Sequence, residues 1–450
     1  MDYNNDDIII ARATPVGKSA LAIIRISGNS LSNIIASIFH NKIFKPNRMG
    51  LQDIQVGGTG DIIDSCMVVY YKNPKSFTGE DMLEIFCHGN DRIVENIIKE
   101  FIQLNVRIAY PGEFSYRAFK NGKIDLLQAE SIASKINQNS DQYGVALQNL
   151  EKGITSKKIS SLRKDILNIR SIIEHELDFN EEEITHLGIT DIKQKFNSII
   201  TEIELILNWS LYLQKIEQGY KVVFLGAPNV GKSTLFNRIV GQDRAIVTEI
   251  KGTTRDVLEN QIYIKGLPFV FYDTAGYRDT QDTIEKIGIN KTKEMIEKAD
   301  VVLLLDEHRP NTQYEVLLKE NPLLNEKQII FVKTKCDAGV KMTTEGIIEI
   351  SCDKDLGVDV LLTRLYTMCG ENIEKESASN IALCNMRQIR LLNQIKSVFV
   401  ESLACLEVST EMDLIASQLK GASDAFDELL GKMAPNEVLN NIFKGFCVGK

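Results

Sequence analysis

Apolar residues at Ile159, Leu162, Ile166, Ile169 and Ile173 recur at intervals of three and four, as do Ile192, Phe196, Ile199, Ile203 and Ile206. That period puts each set along one side of a helix, so the spacing predicts two long amphipathic helices whose stripes are packing surface. The acidic run Glu181-Glu182-Glu183 between them reads as a solvated loop. Near Gly219 the pattern changes to short apolar runs at residues 221–225, 269–272, 301–305, 328–332 and 347–350, most of them separated by helical segments. This alternation predicts a parallel, doubly wound sheet. After about residue 375 the helical period returns in Ile415, Leu419, Ala422, Phe426 and Leu429. Ahead of all this, strand-like runs at 8–13, 20–27, 67–71 and 82–87, with a helix over 93–104, read as an α+β region rich in glycine loops. The expected class is therefore multidomain, α/β and α+β. An N-terminal α+β domain (1–121) precedes a helical domain split into 122–215 and 375–450, with an α/β domain (216–374) inserted in it. Such an insertion needs only that a domain's ends lie close together.

Composition narrows the function. Hydrophobic content of 44% and charged content of 25% are ordinary globular values, and 450 residues suffice for two or three domains. A net charge of −9 argues against a strongly basic coat for nucleic acid, so an RNA substrate would be met by a local patch or a partner. Eight scattered cysteines without a C-x-x-C pair read as reduced thiols of a cytoplasmic protein. The start of the chain is polar and acidic, unlike a signal peptide, and no apolar run approaches a membrane span.

The chemistry lies in Gly226-Ala-Pro-Asn229-Val230-Gly231-Lys232-Ser233-Thr234, between the run 222–225 and an apolar, helix-compatible stretch. Strand, glycine loop and helix start in that order form a phosphate-binding loop. Its glycines let backbone N–H groups face phosphate oxygens, and the helix end adds partial positive charge. Lys232 would reach the β- and γ-phosphates, and the Ser233 hydroxyl would hold Mg2+. Gly252-Thr253-Thr254 follows at the spacing of a first switch, Thr254 offering a second hydroxyl to the metal. Asp273-Thr274-Ala275-Gly276 ends a strand. Asp273 would hold Mg2+ through water, and the Gly276 N–H would sense the γ-phosphate. Thr334-Lys335-Cys336-Asp337 is the base reader: Asp337 accepts from N1 and N2 of guanine, and the Lys335 stem stacks on the ring, so GTP is the expected substrate. Thr334 stands where such proteins usually carry Asn, and a hydroxyl has fewer hydrogen-bonding groups than an amide. Ser351-Cys352 places the Cys352 N–H near guanine O6. Tyr277 stands where a water-orienting glutamine is common, so another group must assist. Asn229 has two open readings: it shapes the loop, or it holds a cation that replaces an arginine finger.

The chain resembles the MnmE (also TrmE) tRNA-modification GTPases. The resemblance is carried by Ile24-Arg25-Ile26-Ser27-Gly28, Ser76-Phe77-Thr78-Gly79-Glu80-Asp81, His88-Gly89, Pro111-Gly112-Glu113-Phe114, Asn121-Gly122-Lys123-Ile124-Asp125-Leu126 and the tail Phe446-Cys447-Val448-Gly449-Lys450. It implies an N-terminal domain that binds a tetrahydrofolate (5-formyl or 5,10-methylene) and pairs two subunits. It also implies a Ras-like P-loop GTPase domain activated by K+, and a heterotetramer with an FAD protein of the MnmG (GidA) type. The implied reaction installs an aminomethyl-type group, such as carboxymethylaminomethyl, at carbon 5 of the wobble uridine of certain tRNAs. By motif, Arg25, Glu84, Lys123 and Lys450 correspond to folate-binding positions. Asn229, Thr248, Ile250 and Thr253 correspond to K+ positions, and Ser233 and Thr254 to Mg2+ ligands. Thr248, Glu249, Ile250, Lys251 and Gly252 are expected at the nucleotide. Glu285 matches the acid that orients the attacking water, and Lys232 and Asn229 complete the catalytic set. Cys447 is open between chemistry on the uridine and packing or folate contact. Asn385-Met386-Arg387-Gln388 departs from a family N-x-R-H pattern, and Asn436-Glu437 from an acidic pair.

Two other classes share some of these features. A ribosome-assembly GTPase would add an RNA-binding or second nucleotide domain, and neither pattern is found. A folate-sensing switch would recruit partners without modification chemistry. Lys152, Lys157, Lys158, Arg163, Lys164 and Arg170 offer charge to tRNA phosphates, but a solvated helix face explains them better.

Overall fold

The computed structural model describes residues 6–40, 43–57, 59–136, 141–178, 187–241, 261–273, 294–336, 346–370, 381–408 and 412–449. The chain forms two compact units, one of Met1–Gln138, Gly144–Ser210 and Ile381–Lys450, the other of Asn139–Tyr143 and Leu211–Asn380.

The first unit opens with β1 (Ile9–Arg12), β2 (Ser19–Gly28), α1 (Ser32–Ile38), β3 (Met49–Gln55), β4 (Ile62–Tyr71), β5 (Asp81–Gly89), α2 (Asp91–Gln103) and β6 (Arg107–Ile108). The strands form one sheet in the order β3-β4-β5-β2-β1-β6, antiparallel except for the β1–β6 pair. Ile24, Ile26, Val68, Leu83 and Ile85 are buried in its core with Ile97 and Phe101 of α2. Asn90 starts α2 by accepting from the Arg92 N–H.

Helices complete this unit: α3 (Glu113–Lys120), α4 (Leu126–Ile136), α5 (Asp141–Glu151), α6 (Ile154–Asp178) and α7 (Leu187–Gln218). The stripe of α6 is buried throughout, as are Ile192, Phe196, Ile199, Ile203 and Ile206 of α7. The Glu181–Glu183 run lies outside the described residues. Asp125 accepts from the Gln128 N–H and Gln128 Oε1 accepts from the Asp125 N–H, a reciprocal cap at the start of α4.

The second unit contains β7 (Tyr220–Gly226), α8 (Lys232–Val240), β8 (Gln261–Ile264), β9 (Leu267–Asp273), β10 (Val301–Asp306), α9 (Pro310–Glu320), β11 (Gln328–Lys333), β12 (Ile348–Glu349) and α10 (Val358–Gly370). Its sheet runs β12-β11-β10-β7-β9-β8. All neighbours are parallel except β8 and β9. The five runs read from the sequence are thus parallel as expected; β8, not among them, is added antiparallel at one edge, where Lys265 and Gly266, both at positive φ, turn the chain back on itself. Val301 to Leu305 of β10 are all buried, as a strand covered on both faces requires.

The chain re-enters the first unit as α11 (Met386–Val408), α12 (Met412–Leu429) and α13 (Asn436–Lys444). Phe399 of α11 packs edge-on against Phe196 of α7, 5.2 Å between ring centres. The Ser210 hydroxyl accepts from the Leu383 N–H at 2.8 Å, tying the point where the chain leaves this unit to the point where it returns.

Candidate functional site

In the second unit, β7 delivers the glycine loop at its carboxyl end, beside β9 and β10. Gly226 sits at φ +152, and a Cβ there would lie 2.3 Å from the Leu305 carbonyl oxygen. Asn229 is also at positive φ, +63, and exposed, while Val230 is buried beneath the loop. Gly231 caps α8 in the left-handed region, and Leu235 and Ile239 seat that helix. Lys232 is buried and its Nζ donates to the Gly226 and Ala227 carbonyls, both at 2.8 Å, so the side chain arches over its own loop. Ser233 and Thr234 occupy the exposed first turn of α8. The backbone of Asp273 ends β9 level with Phe224.

The 334–336 segment is fixed from two sides. The Thr334 N–H donates to the Asp306 carbonyl at 3.0 Å, and the Cys336 N–H to the Ile350 carbonyl at 3.0 Å. Thr334 is buried, and its hydroxyl has no hydrogen-bond partner among the described residues. Lys335 sits at φ +59 and pairs with Glu307. Ser351 and Leu356 exchange backbone hydrogen bonds, closing a loop around Cys352. Arg238 of α8 holds that loop through Asp355 at 2.6 Å. Burial, then repulsion from Asp353, raises the Cys352 thiol above its usual range, which suits a backbone donor and not a thiolate. Thr248, Glu249, Ile250, Lys251, Gly252, Thr253, Thr254, Thr274, Ala275, Gly276, Glu285 and Asp337 lie outside the described residues, as does Lys450.

A second site lies in the first unit. Arg25 of β2 and Glu84 of β5 are cross-strand partners, and the Arg25 Nε donates to Glu84 Oε1 at 2.7 Å. The Arg25 Nη1 also donates to the Gly449 carbonyl at 3.3 Å, and the Tyr71 hydroxyl to Glu84 Oε2 at 3.3 Å. Burial, then the Glu84 charge, raises the Tyr71 hydroxyl above its usual range, so it stays a donor at neutral pH. Arg25, Tyr71 and Glu84 line a cavity of about 360 Å3 with Phe77, Met82, Ser115, Ile132 and Glu151. Ser115, on α3, is fully buried, and its Oγ has no hydrogen-bond partner among the described residues. The C-terminal segment is seated tightly. The Gly112 N–H meets the Cys447 carbonyl at 3.4 Å, and a Cβ on Gly112 would lie 2.3 Å from the Phe443 carbonyl. Phe443 and Phe446 are buried, whereas Cys447 is exposed.

Of the proposed folate positions, the structure brings Arg25 and Glu84 together but sets Lys123 apart. Lys123 donates to the Pro74 carbonyl at 2.9 Å and lines a separate cavity with Asp125, Gln128 and Lys432. Tyr71, Met82 and Ser115 were not singled out by the sequence reading. For two of them a signal exists: Tyr71 pairs with Met82, and both stand two residues from the Val69–Glu84 pair, so strand alternation puts them on one face.

Other expectations resolve into packing. Arg387 grips Glu130 of α4 at 2.9 and 2.8 Å, and Gln388 donates to the same carboxylate at 2.5 Å. Asn385 Oδ1 accepts from the Gln388 N–H, opening α11. The 385–388 segment is thus an interior tie between helices. Among the basic positions, Lys158 pairs with Glu202, Arg163 with Asp427 and Arg170 with Glu174, at 2.7, 2.6 and 2.7 Å.

The strand order, the glycine loop and the helix it caps define a P-loop nucleotide hydrolase carried by a discontinuous helical unit. Residues 8–123 match the family model for the GTP-binding protein TrmE N-terminus, and residues 126–447 that for the MnmE helical domain. The tRNA modification GTPase MnmE of Aquifex aeolicus (strain VF5) is 35% identical over 449 residues, spanning 98% of this chain and 99% of that protein. The proteins of the same name from Clostridioides difficile (strain 630) and Legionella pneumophila (strain Paris) are 35% and 36% identical, each spanning 99% of this chain and 99% of their own length. The chain belongs to the MnmE family of tRNA modification GTPases and is a GTP hydrolase. No helix among the described residues is long and apolar enough to cross a membrane.

Proposed function

We propose that this chain couples GTP hydrolysis to modification of carbon 5 of the wobble uridine in certain tRNAs. It would act as a homodimer paired through residues 1–121, in a heterotetramer with an FAD protein of the MnmG type. A tetrahydrofolate, 5-formyl or 5,10-methylene, supplies the one-carbon unit when bound. The observation that carries this reading is the cavity built around the half-buried Arg25–Glu84 pair, whose Arg25 also donates to the Gly449 carbonyl. A buried carboxylate suits the adjacent N–H donors of a pteridine edge, and Tyr71, Phe77 and Met82 suit its faces. Lys123 and Lys450 are the proposed partners of the folate's carboxylates.

At the nucleotide, the backbone from Asn229 to Thr234 faces the phosphates, with Lys232 leaving its loop carbonyls for phosphate oxygens. Ser233 and Thr254 are the proposed Mg2+ ligands. The exposed, left-handed Asn229 presents an amide at the loop's crest, a fitting donor for K+ beside Thr248, Ile250 and Thr253. Asp273 to Gly276 sense the γ-phosphate, and Glu285 orients the attacking water. Thr334, Lys335, Asp337, Ser351 and Cys352 read guanine. Cys447 is exposed at the rim of the seated tail, open to the uridine.

Nucleoside mass spectrometry of tRNA from cells lacking this chain tests the reading: the wobble derivatives should disappear, and their retention would reject it. Hydrolysis should be faster in K+ than in Na+, and equal rates would remove the Asn229 cation.

A further inference from the structure

We infer that Ser115 determines affinity for the bicyclic ring of the folate, by a hydrogen bond from its hydroxyl to a ring heteroatom. This rests on the folate reading of the cavity and adds to it a residue from a different wall. Arg25, Tyr71, Met82 and Glu84 all come from the sheet, on β2, β4 and β5. Ser115 comes from α3, and Ile132 from α4. A ring held by Glu84 on the sheet side therefore also meets the helical side.

Three observations select Ser115. It is fully buried, so its hydroxyl has no bulk water to satisfy it. Its Oγ has no hydrogen-bond partner among the described residues, although buried hydroxyls are nearly always paired. It lines the same cavity as Arg25, Tyr71, Glu84 and Glu151, whose polar groups are engaged with one another or, for Glu151, with Lys135, while Phe77, Met82 and Ile132 carry no hydrogen-bonding side chain. A buried hydroxyl without a partner destabilises the free protein, and a ligand atom that satisfies it recovers that loss on binding. The hydroxyl both donates and accepts, so it suits a ring nitrogen or a ring carbonyl. It is neutral, and the carboxylates Glu84 and Glu151 in the same wall disfavour the charged glutamate tail, so the flat ring is the better fit.

The experiment uses the full-length chain, with 5-formyltetrahydrofolate as probe, calorimetric titration, and thermal unfolding without ligand. Ser115→Ala should weaken binding on the order of three- to tenfold, the range of one neutral hydrogen bond. Its unfolding temperature without ligand should equal or exceed that of the parent, because the unpaired hydroxyl is gone. Ser115→Cys keeps the shape, with a somewhat larger sulfur that hydrogen-bonds poorly, so it should bind as weakly as the alanine variant. The inference is overturned if Ser115→Ala binds as the parent does or if Ser115→Cys restores affinity, which would make the effect one of packing. A lower unfolding temperature in Ser115→Ala would show that the hydroxyl serves the fold, and would also overturn it. Failure of the parent chain itself to bind the probe would reject the folate reading and this inference with it, a result separate from those above.

Discussion

Replacing Arg25 with Met separates what the Arg25–Glu84 pair does for the fold from what it does for a ligand. The Nε–Oε1 distance is 2.7 Å, and the side chains are 27% and 11% exposed. Breaking one side of a fully buried pair costs about 3–5 kcal/mol, because the other charge is left uncompensated. Partial exposure of Arg25 lets water screen some of that, leaving about 2–3 kcal/mol. The Tyr71 hydroxyl, 3.3 Å away, then remains at Glu84, and the Gly449 carbonyl loses its donor. The double variant Arg25→Met, Glu84→Gln removes the stranded charge and should recover at least half of the loss. Ligand affinity should behave differently. A hydrogen bond to a charged group contributes about 1.5–3 kcal/mol, so Arg25→Met should weaken 5-formyltetrahydrofolate binding by roughly 10- to 150-fold. The double variant should not regain it. The assay pairs calorimetric titration with thermal unfolding of the transition that carries the N-terminal sheet. Binding within twofold of the parent, or affinity that returns with stability, would refute the assignment of Arg25 to the ligand.

Other consequences can be measured directly. Thr334→Asn places an amide where a buried hydroxyl has no partner, and should tighten GDP binding by about fivefold, one hydrogen bond's worth; unchanged or weaker affinity would count against the base-reading role. Gly226→Ala puts a methyl group 2.3 Å from the Leu305 carbonyl, so the loop must shift and GTP binding should fall by roughly 5- to 150-fold, for a strain of roughly 1–3 kcal/mol; nucleotide affinity like the parent's would remove the loop-shape argument. Burial pushes the Asp81 carboxyl up, but donors from Asn73, Tyr70, Lys72 and Leu31 outweigh it and hold its pKa below the ordinary value of a free aspartate. Its contribution to stability is therefore complete above that value and lost as pH falls through the lowered pKa, and Asp81→Asn should flatten the acid limb of a stability–pH profile.

Periodicity made much of this architecture legible. The stripes of α6 and α7 are buried residue for residue, and the apolar runs at 221–225, 301–305 and 328–332 fall within β7, β10 and β11. What escaped was local in a different sense. β3 is an edge strand whose burial alternates weakly, with Met49 and Leu51 exposed, so it presents no apolar face to recognise. β8 is a short strand folded back by a two-residue turn, and nothing in its composition announces antiparallel pairing. The glycine loop was readable because its chemistry is contiguous in sequence. The Arg25–Glu84 cleft was reached only through resemblance, since it is assembled from β2, β5, α3 and the chain's last residues. Likewise Gln388 looked like a departure from a pattern until Glu130 was seen beside it.

The hydrogen bond between Ser210 and Leu383 has a consequence for the history and engineering of such chains. A guest module can be spliced into a host without stretching it when the two cut ends already touch, because the loop-closure entropy changes only with the logarithm of the insert's length. Excising the whole nucleotide module and rejoining its borders with a few glycines leaves a short turn where a switch once stood.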